Sequence, residues 1–580
     1  MGTSPRALRA LLLLAGFYLL VLVVLAVLVG IDVAAWTQAP VPAAVKVTVV
    51  TALLGFPVVK GVFSLGSSKG GEEHGLPVTE AAQPELWAAV RSLAERSGTR
   101  APDEIILTGD VNAAVSEDTR MLGLLPGRRR LYLGVPLLTG LTEPQLHSVI
   151  AHELGHYGNA DTRLAGITRR GRDCVARTLE AFQKREQKRI DKDRERQERA
   201  AAKAVRKGRK PKEVNTGGTG FGYRVMAKPF QAYARFYLRA THSVGRQQEL
   251  AADRLAVRLA GRDATASALR ATAALGAAHD YYMDRYATFG VRVGLLPPRG
   301  EFFGGLRHLL ADPRRQTDMA EMRDELPPDE ASPYDSHPPM AERVRIVEAL
   351  PDDGRATDCA RPALALLYDV ERVLAELEGT VLTPEALALE RADWPELTHR
   401  AMHALTVSNA EPLRAALASA GLATGSAAGD LAALLDAADA GRLWQVADHL
   451  PKSPEAARAS GRAAREFLRP ALTAGLRELV ELALVERSGA YWELSWSRWV
   501  ALRLPGAGEP QEVEEAATAA VRAAVADAPD TLLLRSLVDM DGTDATYGGT
   551  DATYGAGGAY GSGGAVEPTD PRAHWSQQPN

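Results

Sequence analysis

His152-Glu153-Leu154-Gly155-His156 is the stretch that decides the fold of the central part of this sequence. Two histidines four residues apart share one face of an α-helix, so both imidazoles can reach one metal ion. The carboxylate of Glu153 lies between them in sequence, where it can take a proton from a water molecule at that ion. The pattern predicts a zinc-binding helix. The alternative is an amphipathic core helix that carries two histidines without a metal.

The flanking residues favour a helix. Thr142 is placed to cap its N-terminus, Gln145 fits a capping box, and Pro144 falls in the first turn. Gly158 and Asn159 are suited to end it. Helical spacing predicts a buried face formed by Leu146, Val149, Ile150 and Leu154.

A catalytic zinc ion usually has a third protein ligand. A third histidine six residues after His156 is ruled out, because that position is Thr162. The stretch Glu249-Leu250-Ala251-Ala252-Asp253 offers a carboxylate from a later helix instead. Glu249 would bind the ion, and Asp253, on the same face, would orient a ligand histidine through its outer nitrogen. The alternative is a solvated acidic pair on a surface helix.

The pairing of HELGH with ELAAD resembles the HtpX-like and CAAX-prenyl-protease group of gluzincin zinc metallopeptidases. Three further segments agree with the resemblance: residues 110–114, residues 131–138, and residues 336–339 followed by Arg343. The first segment is similar to the Asn-Ala strand of the family. The second is similar to the strand and the Leu-Leu pair that lead into its active-site helix, and the third is similar to its His-Pro motif. The resemblance covers residues 75–350.

The resemblance implies a zincin-type α+β peptidase domain with one Zn²⁺ per chain and a role such as membrane protein quality control. It implies a substrate-binding strand at Asn112 and Ala113, where an extended peptide could pair with the sheet edge. An ordinary structural strand is the alternative there. His337 would stabilise the transition state or make a structural contact in a turn, and Arg343 would pair with a buried acid.

The N-terminus is directed to a membrane. Residues 11–30 carry no charge and are long enough to cross a bilayer as a helix. Residues 41–63 are apolar, but Lys46 and Lys60 enclose 13 uncharged residues that include Pro57. They form a second span or, alternatively, an interfacial or re-entrant segment.

Charge predicts the orientation of two spans. Arg6 and Arg9 precede the first span and Lys60 and Lys69 follow the second, whereas the loop between the spans holds Asp32. The positive-inside rule then places both ends and the catalytic domain in the cytoplasm of a multi-pass protein of the cell membrane. With a single span, the catalytic domain would face outward.

Composition limits the remaining possibilities. The 580 residues exceed one domain, and the net charge of −4 gives no sign of nucleic-acid binding. Two distant cysteines, Cys174 and Cys359, argue against a disulfide framework.

In the rest of the peptidase segment, the sequence predicts a linker at 66–82, a helix at 83–97 and three strands, at 105–107, 112–115 and 131–135.

A basic insertion separates the two metal motifs. Residues 184–212 hold 14 Lys or Arg against 5 Asp or Glu. They are either a solvated, partly helical excursion or a contact with anionic lipid headgroups, and a nucleic-acid contact is less favoured without interleaved aromatic residues. Residues 221–240 are aromatic-rich but carry four basic residues, so they would lie on a membrane surface rather than cross it. The further spans of HtpX-like enzymes are therefore not predicted here, which argues against prenyl-protease activity.

The C-terminal part is rich in Ala and Leu with helical periodicity, as at 363–377 and 464–485, and residues 492–504 suggest a short strand unit. The tail is of low complexity, and its repeated GTDATYG predicts disorder. The predicted domains are a membrane anchor at 1–66, a zinc peptidase domain at 67–350, a helical domain at 351–535 and the tail at 536–580.

The sequence thus predicts a mainly α-helical protein with a small β-sheet, N-terminal transmembrane helices and an additional helical domain. The favoured function is a membrane-anchored zinc endopeptidase that cleaves protein or peptide substrates, with His152, His156 and Glu249 as ligands and Glu153 as general base. The alternative is a membrane-tethered scaffold that binds partner proteins and keeps a metal site for structure or regulation.

Overall fold

The computed structural model describes residues 5–63, 75–117, 127–158, 162–206, 221–326, 338–355, 361–453, 455–506 and 508–538. The described chain is mainly α-helical with small β-sheets, as the sequence predicts. The α-helices are α1 Pro5–Gln38, α2 Val41–Phe63, α3 Pro84–Ser97, α4 Val135–Gly140, α5 Glu143–Gly158, α6 Thr162–Arg206, α7 Phe221–Ala260, α8 Arg262–Tyr282, α9 Glu301–Gly304, α10 Leu306–Ala311, α11 Pro313–Asp324, α12 Met340–Glu348, α13 Val370–Val381, α14 Pro384–Leu387, α15 Trp394–Ser419, α16 Ala427–Asp439, α17 Leu443–Ala447, α18 Gly461–Ser488, α19 Pro510–Ala524 and α20 Leu532–Val538.

The strands form three sheets. Their bounds are β1 Leu76–Val78, β2 Glu104–Thr108, β3 Ala113–Glu117, β4 Arg129–Gly134, β5 Leu295–Leu296, β6 Glu390–Arg391, β7 Tyr491–Ser495 and β8 Trp499–Arg503. Single turns of 3₁₀- or π-helix occupy Met283–Ala287, Phe289–Val293, Ala363–Leu366 and Ala456–Arg458.

The chain divides into two compact units, of which the first comprises residues 1–273 and 322–370 and the second residues 274–321 and 371–580. The domain boundaries predicted from the sequence stay a prediction. Residues 207–212 of the basic insertion and residues 539–580 of the predicted tail lie outside the described residues, as does Cys359.

The four-stranded sheet of the first unit has the order β1-β2-β4-β3. β2 and β4 are parallel, whereas β1 pairs with β2 and β3 with β4 in antiparallel register. Alternate residues on the two central strands are fully buried, which is the period-2 pattern of a sheet with one covered face. These residues are Ile105, Leu107, Leu131 and Leu133. Within the described residues, β3 is an edge strand of this sheet.

Four helices of the first unit pack together: α1, α2, and parts of the long helices α6 and α7. Their shared core contains Phe17 of α1, Val58 of α2, Phe182 of α6 and Phe230 of α7, all at most 1% exposed. Among the described residues, one helix carries a stretch long and apolar enough to cross a membrane, residues Leu12–Gln38 within α1, with a mean hydropathy of 3.1. The apolar part of α2, Val41–Phe56, is shorter.

The basic insertion continues α6 as far as Arg206. Helix-favouring Lys, Arg, Glu and Ala dominate it, and pairs four residues apart support it, such as Lys184 with Glu180 and Arg199 with Glu195. The part of the insertion that the structure describes is therefore helical throughout.

The second unit has its own core, built mainly by α15, α16 and α18 with the β7–β8 hairpin. Leu413, Leu434, Leu472 and Leu476 are buried in it, and Trp492 of β7 is 2% exposed. The short strand unit predicted at 492–504 is present as this hairpin.

Candidate metal centre

The helix that carries the HELGH motif begins as its sequence predicts. α5 starts at Glu143, and the side-chain oxygen Oε1 of Gln145 accepts a hydrogen bond from the backbone N–H of Thr142 at 2.9 Å. This is the reciprocal half of a capping box. Most of the predicted face is buried: Leu146, Ile150 and Leu154 are 0% exposed, whereas Val149 is only partly buried. The opposite face is left for the polar residues of the motif.

A glycine sets the distance between α5 and α7. A Cβ atom on Gly155 would lie 3.0 Å from Cα of Ala252 and 3.1 Å from its Cβ. Because Gly155 stands between the two histidines and Ala252 between Glu249 and Asp253, this close approach brings the two motifs face to face.

Three side chains with metal-binding atoms meet at this contact. Nε2 of His152 lies 3.4 Å from Oε2 of Glu249, and Nε2 of His156 lies 3.7 Å from Oε1 of the same residue. One nitrogen or oxygen atom from each of the three falls within 4.8 Å of the others. Glu249 is buried, and the histidines are partly exposed. The cluster is thus enclosed by protein at Glu249 and is accessible to solvent at the two histidines.

Asp253 and Arg343 form a second layer behind His152. Nδ1 of His152 lies 2.9 Å from Oδ1 of Asp253. Arg343, on α12, donates to both oxygens of that carboxylate, from Nε at 2.9 Å and from Nη2 at 2.6 Å. This bidentate pair fixes the carboxylate, and the carboxylate in turn fixes the ring of His152 with Nε2 directed to Glu249.

The charges of this layer act on the protonation of His152. Burial on its own would lower the pKa of His152, but hydrogen bonds to Asp253 and Glu249 outweigh it and raise the pKa to about 9. Burial would likewise raise the pKa of Asp253, but the hydrogen bonds from His152 and Arg343 hold it below its ordinary value. The carboxylates around His152 therefore favour a positive charge at this position, and a metal ion bound by its Nε2 would have to displace the proton there.

The donor set fits zinc. Two imidazole nitrogens and one carboxylate oxygen are the protein ligands of one common class of catalytic zinc sites, which leave a fourth position open. Zinc bonds of about 2.0–2.2 Å in tetrahedral geometry separate neighbouring donor atoms by about 3.3–3.6 Å. The observed separations of 3.4 and 3.7 Å are close to that range.

The other predicted site residues are not part of the cluster formed by His152, His156 and Glu249. Glu153, on α5 between the two histidines, is partly exposed. Asn112 directly precedes β3, which begins at Ala113, and its carbonyl accepts a hydrogen bond from the N–H of Gly134 at 2.8 Å. A Cβ atom on Gly134 would lie 1.9 Å from the carbonyl oxygen of Asp110, so glycine is required there. His337 lies outside the described residues.

Tyr157 is a residue of this site that sequence reasoning missed. Its hydroxyl donates to the carbonyl of Ser116 in β3 at 2.7 Å, and the guanidinium carbon of Arg129 lies 4.4 Å from the centre of its ring. It therefore ties the edge strand to the metal-binding helix, one residue after His156. An aromatic residue directly after the motif was the available signal.

Residues 80–350 match the sequence model of peptidase family M48. This segment contains the whole metal cluster, and its resemblance to HtpX-like and CAAX-prenyl-protease zinc metallopeptidases is confirmed. Searches of curated proteins and of solved structures found no match.

Proposed function

We propose that this protein is a membrane-anchored, zinc-dependent endopeptidase. The observation that carries the proposal is the approach of His152, His156 and Glu249 to one another beside Glu153, within a segment that matches a metallopeptidase family. In this proposal the three residues hold one zinc ion, and Asp253 and Arg343 orient His152.

When bound, zinc would supply Lewis acidity toward the scissile carbonyl and lower the pKa of the attacking water. Glu153 accepts a proton from that water molecule while the oxygen of the water bonds to the carbonyl carbon. The same carboxyl group then delivers the proton to the nitrogen of the leaving amine as the C–N bond breaks. Glu153 thus ends the cycle ionised, as it began, and one water is consumed per peptide bond.

The edge position of β3 supports a peptide as the substrate. An extended chain can pair with an unpaired strand edge through its backbone, and this mode of binding requires no terminus of the substrate. Asn112 and Ala113 stand at the start of that strand, and Tyr157 holds the strand to α5. We therefore assign an endopeptidase with broad side-chain tolerance. The resemblance of residues 336–339 to the His-Pro motif of the family supports His337 as a stabiliser of the transition state.

The membrane anchor is the apolar stretch of α1. With α2 as a second span, the positive-inside rule puts the metal centre in the cytoplasm, and a role in membrane protein quality control would suit a peptidase in that position. Accessibility of the chain to an added protease in intact cells and in lysed cells tests the orientation.

The decisive experiment compares the purified full-length chain with Glu153→Gln, using zinc content by mass spectrometry and digestion of casein. We expect about one zinc ion per chain in both proteins, and loss of cleavage by about a hundredfold or more in the variant. Glu95→Gln, an exposed carboxylate on α3, is the control and should cleave normally.

Unchanged hydrolysis by Glu153→Gln would overturn the proposed mechanism. A wild-type chain that holds zinc but cleaves neither casein nor membrane proteins would instead support the alternative of a tethered scaffold with a structural metal site.

A further inference from the structure

A second site lies away from the metal cluster. A cavity of about 540 Å³ opens between α2, the basic part of α6 and the first residues of α7. Its size falls in the range of sites that bind small molecules. The walls of this cavity have opposite chemistry, one apolar and one cationic.

The apolar wall comes mainly from α2. Val50, Leu53 and Leu54 line it, and Phe221 adds an aromatic ring at the start of α7. Val50 and Phe221 are 52% and 65% exposed, although each is a large apolar side chain. Exposure of this kind is unfavourable in water, and burial against another apolar group would stabilise it.

The cationic wall is one face of α6. Arg189, Lys192 and Arg196 line the cavity at positions i, i+3 and i+7, so their side chains project to the same side of the helix. Among the described residues that line the cavity, Asp193 is the one carboxylate. Three cations and one carboxylate give this wall a net charge of +2.

Two acidic residues next to this face pair with other cations instead of with Arg189, Lys192 or Arg196. Glu195 pairs with Arg199 at 3.5 Å, and Glu186 pairs with Arg224 of α7 at 2.9 Å. The position of the wall is also fixed: the guanidinium carbon of Arg185 lies 4.4 Å from the centre of the Phe56 ring in α2. The cavity is thus held together by contacts of α6 with both adjacent helices.

We propose that this cavity binds one anionic phospholipid. The phosphate group would lie against Arg189, Lys192 and Arg196, and an acyl chain would cover Val50, Leu53 and Phe221. A ligand with an anionic head and an apolar tail satisfies both walls at once, which a free phosphate ion cannot do. The membrane-directed helix α1 in the same four-helix group places such lipids within reach. The inference is independent of the peptidase activity.

The test uses the full-length chain in detergent micelles doped with phosphatidylglycerol or phosphatidylcholine, with bound lipid counted by native mass spectrometry. The variant Lys192→Gln/Arg196→Gln removes two charges from the cavity wall. Lys188→Gln/Arg194→Gln removes two charges from exposed positions of the same helix that do not line the cavity. Leu53→Trp fills the apolar side without a change of charge.

We expect wild type to prefer phosphatidylglycerol over phosphatidylcholine by about tenfold or more. The cavity double variant should lose this preference and the surface double variant should keep it, while Leu53→Trp should weaken retention of either lipid. Circular dichroism and zinc content of each variant establish that the chain has folded.

Three results would overturn the proposal. An equal loss in the two double variants would mean diffuse attraction of α6 to anionic surfaces. Displacement of the lipid by inorganic phosphate, with no effect of Leu53→Trp, would mean a site for phosphate alone. Stronger competition by an acidic peptide such as polyglutamate would mean that the basic wall binds protein.

Discussion

Gly155 and Ala252 are in direct backbone contact: a Cβ atom on the glycine would come within 3.0 Å of Cα of the alanine. The contact joins the two halves of the metal cluster, because each residue lies inside one of the two motifs. Gly155→Val should force α5 and α7 apart and lower the free energy of unfolding by about 1–3 kcal/mol. The affinity for zinc should fall with it.

Thermal unfolding and a zinc competition assay check this prediction. The control is Gly276→Ala on α8, where no atom lies within 4 Å of the added Cβ. It should be neutral or slightly stabilising, because alanine favours a helix more than glycine does. Unaltered zinc affinity in Gly155→Val would show that the spacing of the two helices does not set the site.

Asp253 should control zinc affinity without touching the ion. Asp253→Asn keeps the size of the side chain but removes the charge that orients His152 and pairs with Arg343. A loss of affinity of about 10- to 100-fold is expected, measured by competition with a chromophoric chelator. Asp284→Asn is the control, since it breaks an Asp–Arg pair of 3.1 Å whose carboxylate is exposed. Equal effects of the two variants would contradict a positioning role.

Zinc should stabilise the folded chain. A ligand that binds the folded state at a hundred times its dissociation constant adds about 2.7 kcal/mol to the free energy of unfolding. The chelated protein should therefore unfold at a lower temperature, and restored zinc should reverse this shift. Glu249→Gln should show a much smaller response, because it replaces the buried carboxylate of the cluster. An equal response in that variant would exclude Glu249 as a ligand.

Glu478 of α18 should make the second unit less stable as pH rises. Burial, with a contribution from the charge of Glu481, raises its pKa from 4.5 to about 7. The folded chain then binds more protons than the unfolded chain between these values, so the free energy of unfolding falls as pH rises from about 4.5 to about 7. Since Glu478 is only half-buried, solvent screening limits the effect to about 1 kcal/mol.

Calorimetric unfolding between pH 5 and pH 8 measures this slope. Glu478→Gln should flatten it, whereas Glu515→Gln, an exposed carboxylate on α19, should leave it as in wild type. The same slope in Glu478→Gln and wild type would assign the pH dependence to other groups.

Local patterns in the sequence account for most of the elements around the metal cluster. The capping residues Thr142 and Gln145 and the apolar spacing of α5 predict that helix within one residue of its observed start. The strands at β2, β3 and β4 follow from short apolar runs between turns. β1 lies in the segment that the sequence predicts as a linker, because this strand has only three residues and includes Pro77. Its stability comes from pairing with β2, a contact distant in sequence.

The sequence predicts which residues form the metal site better than it predicts the contacts between them. The motif spacing predicts which imidazoles share a face, and the i, i+4 relation links Glu249 to Asp253. The resemblance predicts that Arg343 pairs with a buried acid, but the sequence does not identify Asp253 as that acid, since the two residues are 90 positions apart. The hydroxyl contact of Tyr157 with Ser116 likewise depends on how α5 crosses the sheet.

α7 is one continuous helix from Phe221 to Ala260, and it carries both Tyr237, buried against Leu13 of α1, and Glu249. These two positions are 12 residues apart, or about 18 Å along the axis. Because α7 is continuous between these two positions, we expect a displacement of α1 to be transmitted along it to the carboxylate of Glu249. We therefore expect bilayer thickness and the choice of detergent to alter the metal occupancy of the proposed zinc site, which the zinc content of the chain in different amphiphiles would measure.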